Sequence, residues 1–187
     1  MLTVLGIDPG SVSTGFGLIK TDGIRDFHVA HGHWPLTTPG DSGDFNSRMG
    51  RLYTLIDELV AQYVPDEAAI EQVFVSHNAQ SALKLGQARG AALAALVNRR
   101  LPVHEYTPRL VKQAVTGSGS ADKQQVNGMV VRLLNLEKPP QSDAADALAI
   151  ALCHAHAGSR ARRTRSDTNS LPGRKRRARR WRSAPVR

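Results

Sequence analysis

The chain has 187 residues, 41% of them hydrophobic, and a single cysteine, Cys153, a size and composition suited to one domain with its own core and excluding an internal disulfide. No apolar stretch approaches the ~20 residues that span a membrane, and no basic region leads into a long apolar one at the start, so neither a membrane protein nor a secreted one is expected. The net charge of +9 is unevenly spread: 12 of the 25 Lys and Arg but one of the 16 acids lie between Ser159 and Arg187, which leaves 13 basic and 15 acidic groups in residues 1–158.

In chain order, Thr3–Asp8 reads as a strand and Gly15–Lys20 as its hairpin partner across a Pro-Gly-Ser turn. A third strand is expected over Arg25–Trp34, where Phe27, Val29 and His31 alternate with Asp26, His28 and Ala30. Pro35–Asp44 carries loop residues. Leu52, Leu55, Ile56, Leu59, Val60 and Tyr63 recur at helical spacing and predict an amphipathic helix over Phe45–Tyr63. Ala68–Phe74 is a short apolar strand interrupted by Glu71. Helices are expected over Asn78–Arg100, Pro108–Val115 and Asp122–Leu134, with a strand at Val103–Tyr106 and a glycine loop at Thr116–Ala121. After Lys138-Pro139-Pro140, Ser142 is the expected cap of a last helix ending near His156. Strands first, then alternating helices and strands, imply one α/β domain with a mixed sheet. The basic segment 158–187 has almost no apolar periodicity and is expected to be disordered when free; phosphate neutralisation, with Trp181 stacking on a base, is one use for it, and solubilisation another. Cys153, in ALAIALCHAH, reads as a small buried hydrophobe.

Three places carry an acid where packing alone favours something apolar. Asp8 ends the first strand, Glu71 interrupts AAIEQVF, and Asp143 and Asp146 stand three apart on one helix face, separated by alanines. An unpaired carboxylate in an apolar strand costs several kcal/mol, and a divalent cation with oxygen ligands relieves that cost. Each acid also has an ordinary reading: Asp8-Pro9-Gly10 as a turn opener, Glu71 at a solvated strand end, Asp143 as a partner of the helix dipole. Lys112 and Lys123 flank the glycine loop, as phosphate-neutralising groups or as exposed helix lysines; the loop lacks the GxxxxGK[ST] form of a nucleotide P-loop. His28, His31, His33, His104, His154 and His156 show no ligand spacing supported by nearby Cys or acids and are read as surface or core residues.

Together these stretches resemble the bacterial RuvC Holliday junction resolvases, of the RNase H-like (retroviral integrase) superfamily. The likeness rests on GIDPGSVSTGFGLI at 6–19, AIEQVF at 69–74, NAQSALKLGQARGAALAAL at 78–96, TPRLVKQAVTGSGSADKQQV at 107–126 and DAADALAIA at 143–151. It implies an RNase H-like mixed five-stranded sheet flanked by helices, a nuclease domain over 1–157, and a bacterial, cytoplasmic source. It places the family's metal-binding acids on Asp8, Glu71, Asp143 and Asp146, its basic active-site residues on Lys112 and Lys123, and DNA contacts on Phe74, His77 and Lys84 as well as the two lysines. His77 stands where a permanently positive residue is expected in some relatives, so that contact is expected to be weaker or pH-dependent. The implied cofactor is Mg²⁺, two ions per subunit with Mn²⁺ as a substitute, and the implied partners are a four-way DNA junction, a second copy of the chain, and RuvA and RuvB. The small residues Ala88, Gly90, Ala91, Ala92, Ala94 and Ala95 suit the dimer's long helix and equally an ordinary buried one.

The implied reaction is phosphodiester hydrolysis with two metal ions about 4 Å apart, one activating water and one stabilising the leaving 3′ oxygen, with Asp8 as the bridging ligand. Paired nicks by a two-fold dimer would leave ligatable 5′-phosphate and 3′-hydroxyl ends. An actin-like or sugar-kinase-like ATPase shares the glycine turn after a strand ending in Asp, but needs two such domains. A silent nucleic-acid-binding module and an RNase H-like nuclease with another substrate are the other rivals.

Overall fold

The computed structural model describes residues 1–37, 44–72 and 78–169, with 159–169 as helical backbone. β1 (Leu2–Asp8) and β2 (Ser13–Thr21) form the expected antiparallel hairpin, pairing Val4 with Ile19, Gly6 with Gly17 and Asp8 with Gly15. The buried hydroxyl of Thr14 closes the turn between them, accepting from the Gly10 N–H at 3.2 Å and donating to the Gly10 carbonyl at 3.1 Å. β3 (Asp26–Pro35) pairs antiparallel with β2. α1 (Phe45–Tyr63) follows, capped by Asp44, which accepts from the Ser47 N–H at 2.7 Å. β4 (Glu67–Glu71) runs parallel to β1, α2 (Ala79–Asn98) crosses back, and β5 (Val103–Tyr106) runs parallel to β4. The sheet is five-stranded in the order β3-β2-β1-β4-β5. α3 (Pro108–Thr116), α4 (Lys123–Leu133) and α5 (Ser142–Asn169) complete the chain.

Alternation along the strands sorts side chains to the two faces. Leu5, Ile7, Leu18, Ala68 and Ile70 bury against α1 and α2, while Val4, Ile19 and Ala69 bury against α3, α4 and α5. Asp8 and Glu71 stand at even spacing from Val4 and Ala69, so both carboxylates point to the α5 side. That side is unusually close. A Cβ built on Gly6 would lie 2.1 Å from the Ala147 carbonyl oxygen, and one on Gly15 would lie 2.0 Å from that of Asp143. The start of α5 therefore rests directly on β1 and β2 backbone.

The last helix differs from its expected limits at both ends. Its cap is Gln141, whose side-chain oxygen accepts from the Asp143 N–H at 2.8 Å and whose carbonyl takes the first helical bond from Ala145; Ser142 is already inside the helix. At the other end, α5 continues past His156 to Asn169, into the segment expected to be disordered. Residues 157–169 contain no proline, and four of the thirteen are Arg, a good helix former. Residues 170–187, with Trp181, lie outside the described part. No helix among the described residues is long and apolar enough to cross a membrane, and Cys153 is buried.

Candidate metal centre

Parallel pairing of Ile7 with Ile70 brings the ends of β1 and β4 side by side, and with them Asp8 and Glu71. The close seat of α5 sets its first turns, and hence Asp143 and Asp146, over the same strand ends. From the side, α4 begins at a capping box in which Asp122 accepts from the Gln125 N–H at 2.8 Å and Gln125 accepts from the Asp122 N–H at 2.9 Å. That cap holds Lys123 at the first helical position, and its ammonium meets Asp146 at 2.7 Å. α3, capped by Thr107 and started by Pro108, directs Lys112 into the same cleft. The cleft, of about 250 Å³, is lined by Glu71, Asp146, Lys112 and Lys123 and walled by Val111 and Ile150.

Electrostatics here are dominated by the crowding of acids. Burial, then the charges of Asp146, Glu71 and Asp143, push the Asp8 carboxyl up to about 7, against the lowering pull of Lys123. Glu71 is raised first by burial and then by Asp146, with Lys112 and Lys123 opposing. Lys123 is raised by its hydrogen bond to Asp146. Four carboxylates face two ammonium groups, so a cation is the missing charge. An all-oxygen carboxylate set suits a hard divalent ion such as Mg²⁺, which takes a few carboxylates and leaves room for water and phosphate. Asp8 is the acid on which the charges of the other three act together.

Six of the expected site residues thus come together: Asp8, Glu71, Asp143, Asp146, Lys112 and Lys123. Lys84 is exposed on α2 and does not line the cleft; Phe74 and His77 lie outside the described residues. Arg89 was not singled out by sequence. Its Nε donates to the Glu71 carbonyl at 3.4 Å and its Nη2 pairs with Glu105 at 2.7 Å, tying α2 to the ends of β4 and β5. Nothing local marks it, because both partners are remote in sequence. The histidines lie at the surface or, for His154, in the core, as expected, but several have acidic partners remote in sequence: His154 and His104 share Glu67, at 2.5 and 3.5 Å, and His156 pairs with Asp26 at 2.9 Å.

The model of the crossover junction endodeoxyribonuclease RuvC family matches residues 4–154, a span that holds all six of these site residues. The chain belongs to the RuvC family. RuvC of Citrifermentans bemidjiense is 53% identical over 155 residues, 83% of this chain and 93% of that one. RuvC of Acinetobacter baumannii strain ATCC 17978 is 53% identical over 157 residues, 84% of each chain. Among solved structures, T. thermophilus RuvC in complex with a Holliday junction substrate superposes with a TM-score of 0.80 at 34% identity, over 86% of this chain and 97% of that one. The yeast mitochondrial resolvase Ydc2, at 16% identity and a TM-score of 0.62 over 89% and 85% of the two chains, shares the fold. The RNase H-like architecture and the nuclease class expected from sequence both stand. An ATPase is set aside.

Proposed function

We propose that this RuvC protein resolves four-way DNA junctions by paired symmetric nicks, in recombination and repair, with Mg²⁺ ions held by Asp8, Glu71, Asp143 and Asp146. The observation that carries the site is the convergence of four carboxylates from two strand ends and one helix on a half-buried Asp8 whose ionisation is disfavoured by burial and by the other three acids. When bound, the ions supply an activated water and stabilisation of the leaving 3′ oxygen. Asp8, flanked by the other three acids, would help to hold the ions. Lys123 holds Asp146 in place and balances its charge; Lys112, on the opposite wall, meets the incoming phosphate. Val111 and Ile150 make part of the cleft wall apolar, which strengthens the interactions of both charges. The test is cleavage of a mobile four-way junction beside a linear duplex of the same sequence, with Mg²⁺ or Mn²⁺. Symmetric nicks in the junction alone are expected; equal cutting of the duplex would sink the assignment.

Lys112→Ala is expected to lower turnover by about 10²-fold, the scale of losing one charge-stabilising group, with junction affinity changed only a few-fold. Arg89→Leu acts through Glu71 and should cost about tenfold in turnover, a fraction of what a 1 Å misplacement costs. Single-turnover cleavage and gel-shift affinity measure each pair of effects.

The reading extends to a homodimer. Ala88, Ala92 and Ala95 of α2 are consumed by packing with α1 inside the chain. The opposite face is a stripe of exposed apolar and small residues, Leu83, Gly86, Gly90, Ala94 and Val97, with open space beside both glycines, and it is the surface we assign to the second copy. Ala94→Arg is expected to weaken the dimer at least tenfold, read by sedimentation. Phe74, His77 and Lys84 are assigned to DNA, residues 1–157 to the nuclease domain, 158–187 to a basic tail, and RuvA and RuvB to the role of partners in the bacterial cytoplasm.

A further inference from the structure

Beyond the carboxylate cleft, one group of side chains has the composition of a different metal site. Glu67 opens β4, His104 lies on β5, and His154 projects from α5. Their ligand atoms all fall within 4.8 Å of one another. The arrangement converges: a single carboxylate oxygen, Oε2 of Glu67, faces Nε2 of His154 at 2.5 Å and Nε2 of His104 at 3.5 Å. The two imidazoles lie 4.4 Å apart, centroid to centroid. Ligands around a tetrahedral ion at about 2.1 Å stand roughly 3.4 Å from one another, so shifts on the order of 1 Å would close the three atoms around a cation.

The surroundings support the same reading. Tyr106 holds its hydroxyl 2.7 Å from Nδ1 of His154. With the Nδ1 proton donated to that oxygen, Nε2 is left as a lone-pair ligand, the outer-shell arrangement usual for metal-binding histidines. His154 is buried, whereas the His104 side chain is 44% exposed, leaving a side open for a fourth ligand such as water. The group is separate from the nuclease centre. Glu67 and Glu71 are four residues apart on one strand, about 13 Å, and His154 follows Asp146 by eight residues, about 12 Å of helix.

We propose that Glu67, His104 and His154 form a second metal site, selective for an imidazole-binding transition ion such as Zn²⁺ over Mg²⁺, that fastens the edge strand β5 and the helix α5 to β4. Donor chemistry separates the two centres. The cleft offers carboxylate oxygens alone, which suit Mg²⁺, while two imidazoles and one carboxylate suit Zn²⁺ or Co²⁺. The fastening matters because α5 carries Asp143 and Asp146 in its first two turns.

The test uses the full chain in excess Mg²⁺, which occupies the carboxylate cleft. Co²⁺ is titrated and read by the visible d–d absorption of a tetrahedral ion, then displaced with Zn²⁺; thermal unfolding is followed with and without Zn²⁺. One equivalent of tetrahedral Co²⁺, displaced by Zn²⁺, and a Zn²⁺-dependent rise in Tm are expected. His104→Ala, on an edge strand, should weaken binding at least tenfold and remove the rise in Tm. Glu67→Gln, which keeps a hydrogen-bonding group beside His154, should do the same. The proposal is overturned if no such band forms in excess Mg²⁺. It is equally overturned if both variants retain the band, or if it disappears instead in His28→Ala, which breaks the His28–His31 pair at 2.7 Å.

Discussion

Asp8→Asn is expected to abolish junction cleavage while making the metal-free protein more stable at neutral and alkaline pH. The loss of activity follows from the position of Asp8, which feels the charges of Asp146, Glu71 and Asp143 together, so that removing its carboxylate would weaken the proposed ion site as a whole. Charge stabilisation by the ions is worth several kcal/mol in the transition state, so a fall of at least about 10³-fold in turnover is expected. Junction binding, which depends on phosphate contacts elsewhere, should change little.

The gain in stability has the opposite physical origin from most active-site effects. Folding raises the Asp8 carboxyl from its ordinary 3.8 to about 7, chiefly by burial. Below pH 3.8 both folded and unfolded chains hold the proton and nothing is gained or lost. Between pH 3.8 and 7 the unfolded chain releases a proton that the folded one keeps, so native stability falls as pH rises. Above pH 7 the full cost is present, up to roughly 4 kcal/mol for a displacement of this size. Asn carries no charge to bury and escapes much of it. In urea unfolding with EDTA, the variant should therefore exceed wild type at pH 8, and the gap should shrink towards pH 4. Mg²⁺ should raise the stability of wild type at pH 8 and that of the variant far less. A variant less stable than wild type at pH 8 in EDTA would show that Asp8 is not the strained group.

Much of this centre is legible in LTVLGID and AAIEQ. Once Val4 and Ala69 are assigned inward, strict alternation puts Asp8 and Glu71 on the same side, and parallel pairing sets them abreast. The spacing of Asp143 and Asp146 is equally readable. What sequence does not carry is the contact between distant segments. His154 and Glu67 are separated by 87 positions, and each taken alone resembles an ordinary packing or surface residue. Gln141 replaces Ser142 as cap because its longer side chain folds back onto the first turn, a choice that residue preferences do not rank highly. The continuation of α5 to Asn169 escapes a reading based on core periodicity, because it prolongs a helix already formed and packed through Ala144–Ala155, and adding turns to a helix is easier than starting one.

Gly15 falls at the start of the expected second strand, where the sequence marks no packing role for it, and that role carries the second strong prediction. Gly15→Ala should disable the nuclease without touching an ionisable group. The added Cβ would stand 2.0 Å from the Asp143 carbonyl oxygen and 2.3 Å from its carbon, where ordinary contact begins at 3.4 Å. Both neighbours are backbone, so no side chain can rotate away. The start of α5 must retreat by roughly 1.4 Å, at a cost of about 1–3 kcal/mol for an overpacked contact. Asp143 and Asp146 move with it, while Asp8 and Glu71 stay on the sheet. A displacement of about 1 Å between catalytic groups costs on the order of 10²-fold, so turnover should fall by that much and Mg²⁺ affinity with it. Gly128→Ala is the contrasting variant: it lies inside α4 with nothing within 4 Å of its Cβ position. That change should raise stability by roughly 0.4–1 kcal/mol and leave turnover alone. If Gly15→Ala cleaves junctions at the wild-type rate, the close seat of α5 on β2 is not what aligns the acids. If it loses turnover while retaining a folded, junction-binding protein, the hairpin glycines belong to the catalytic apparatus as surely as the carboxylates they allow to meet.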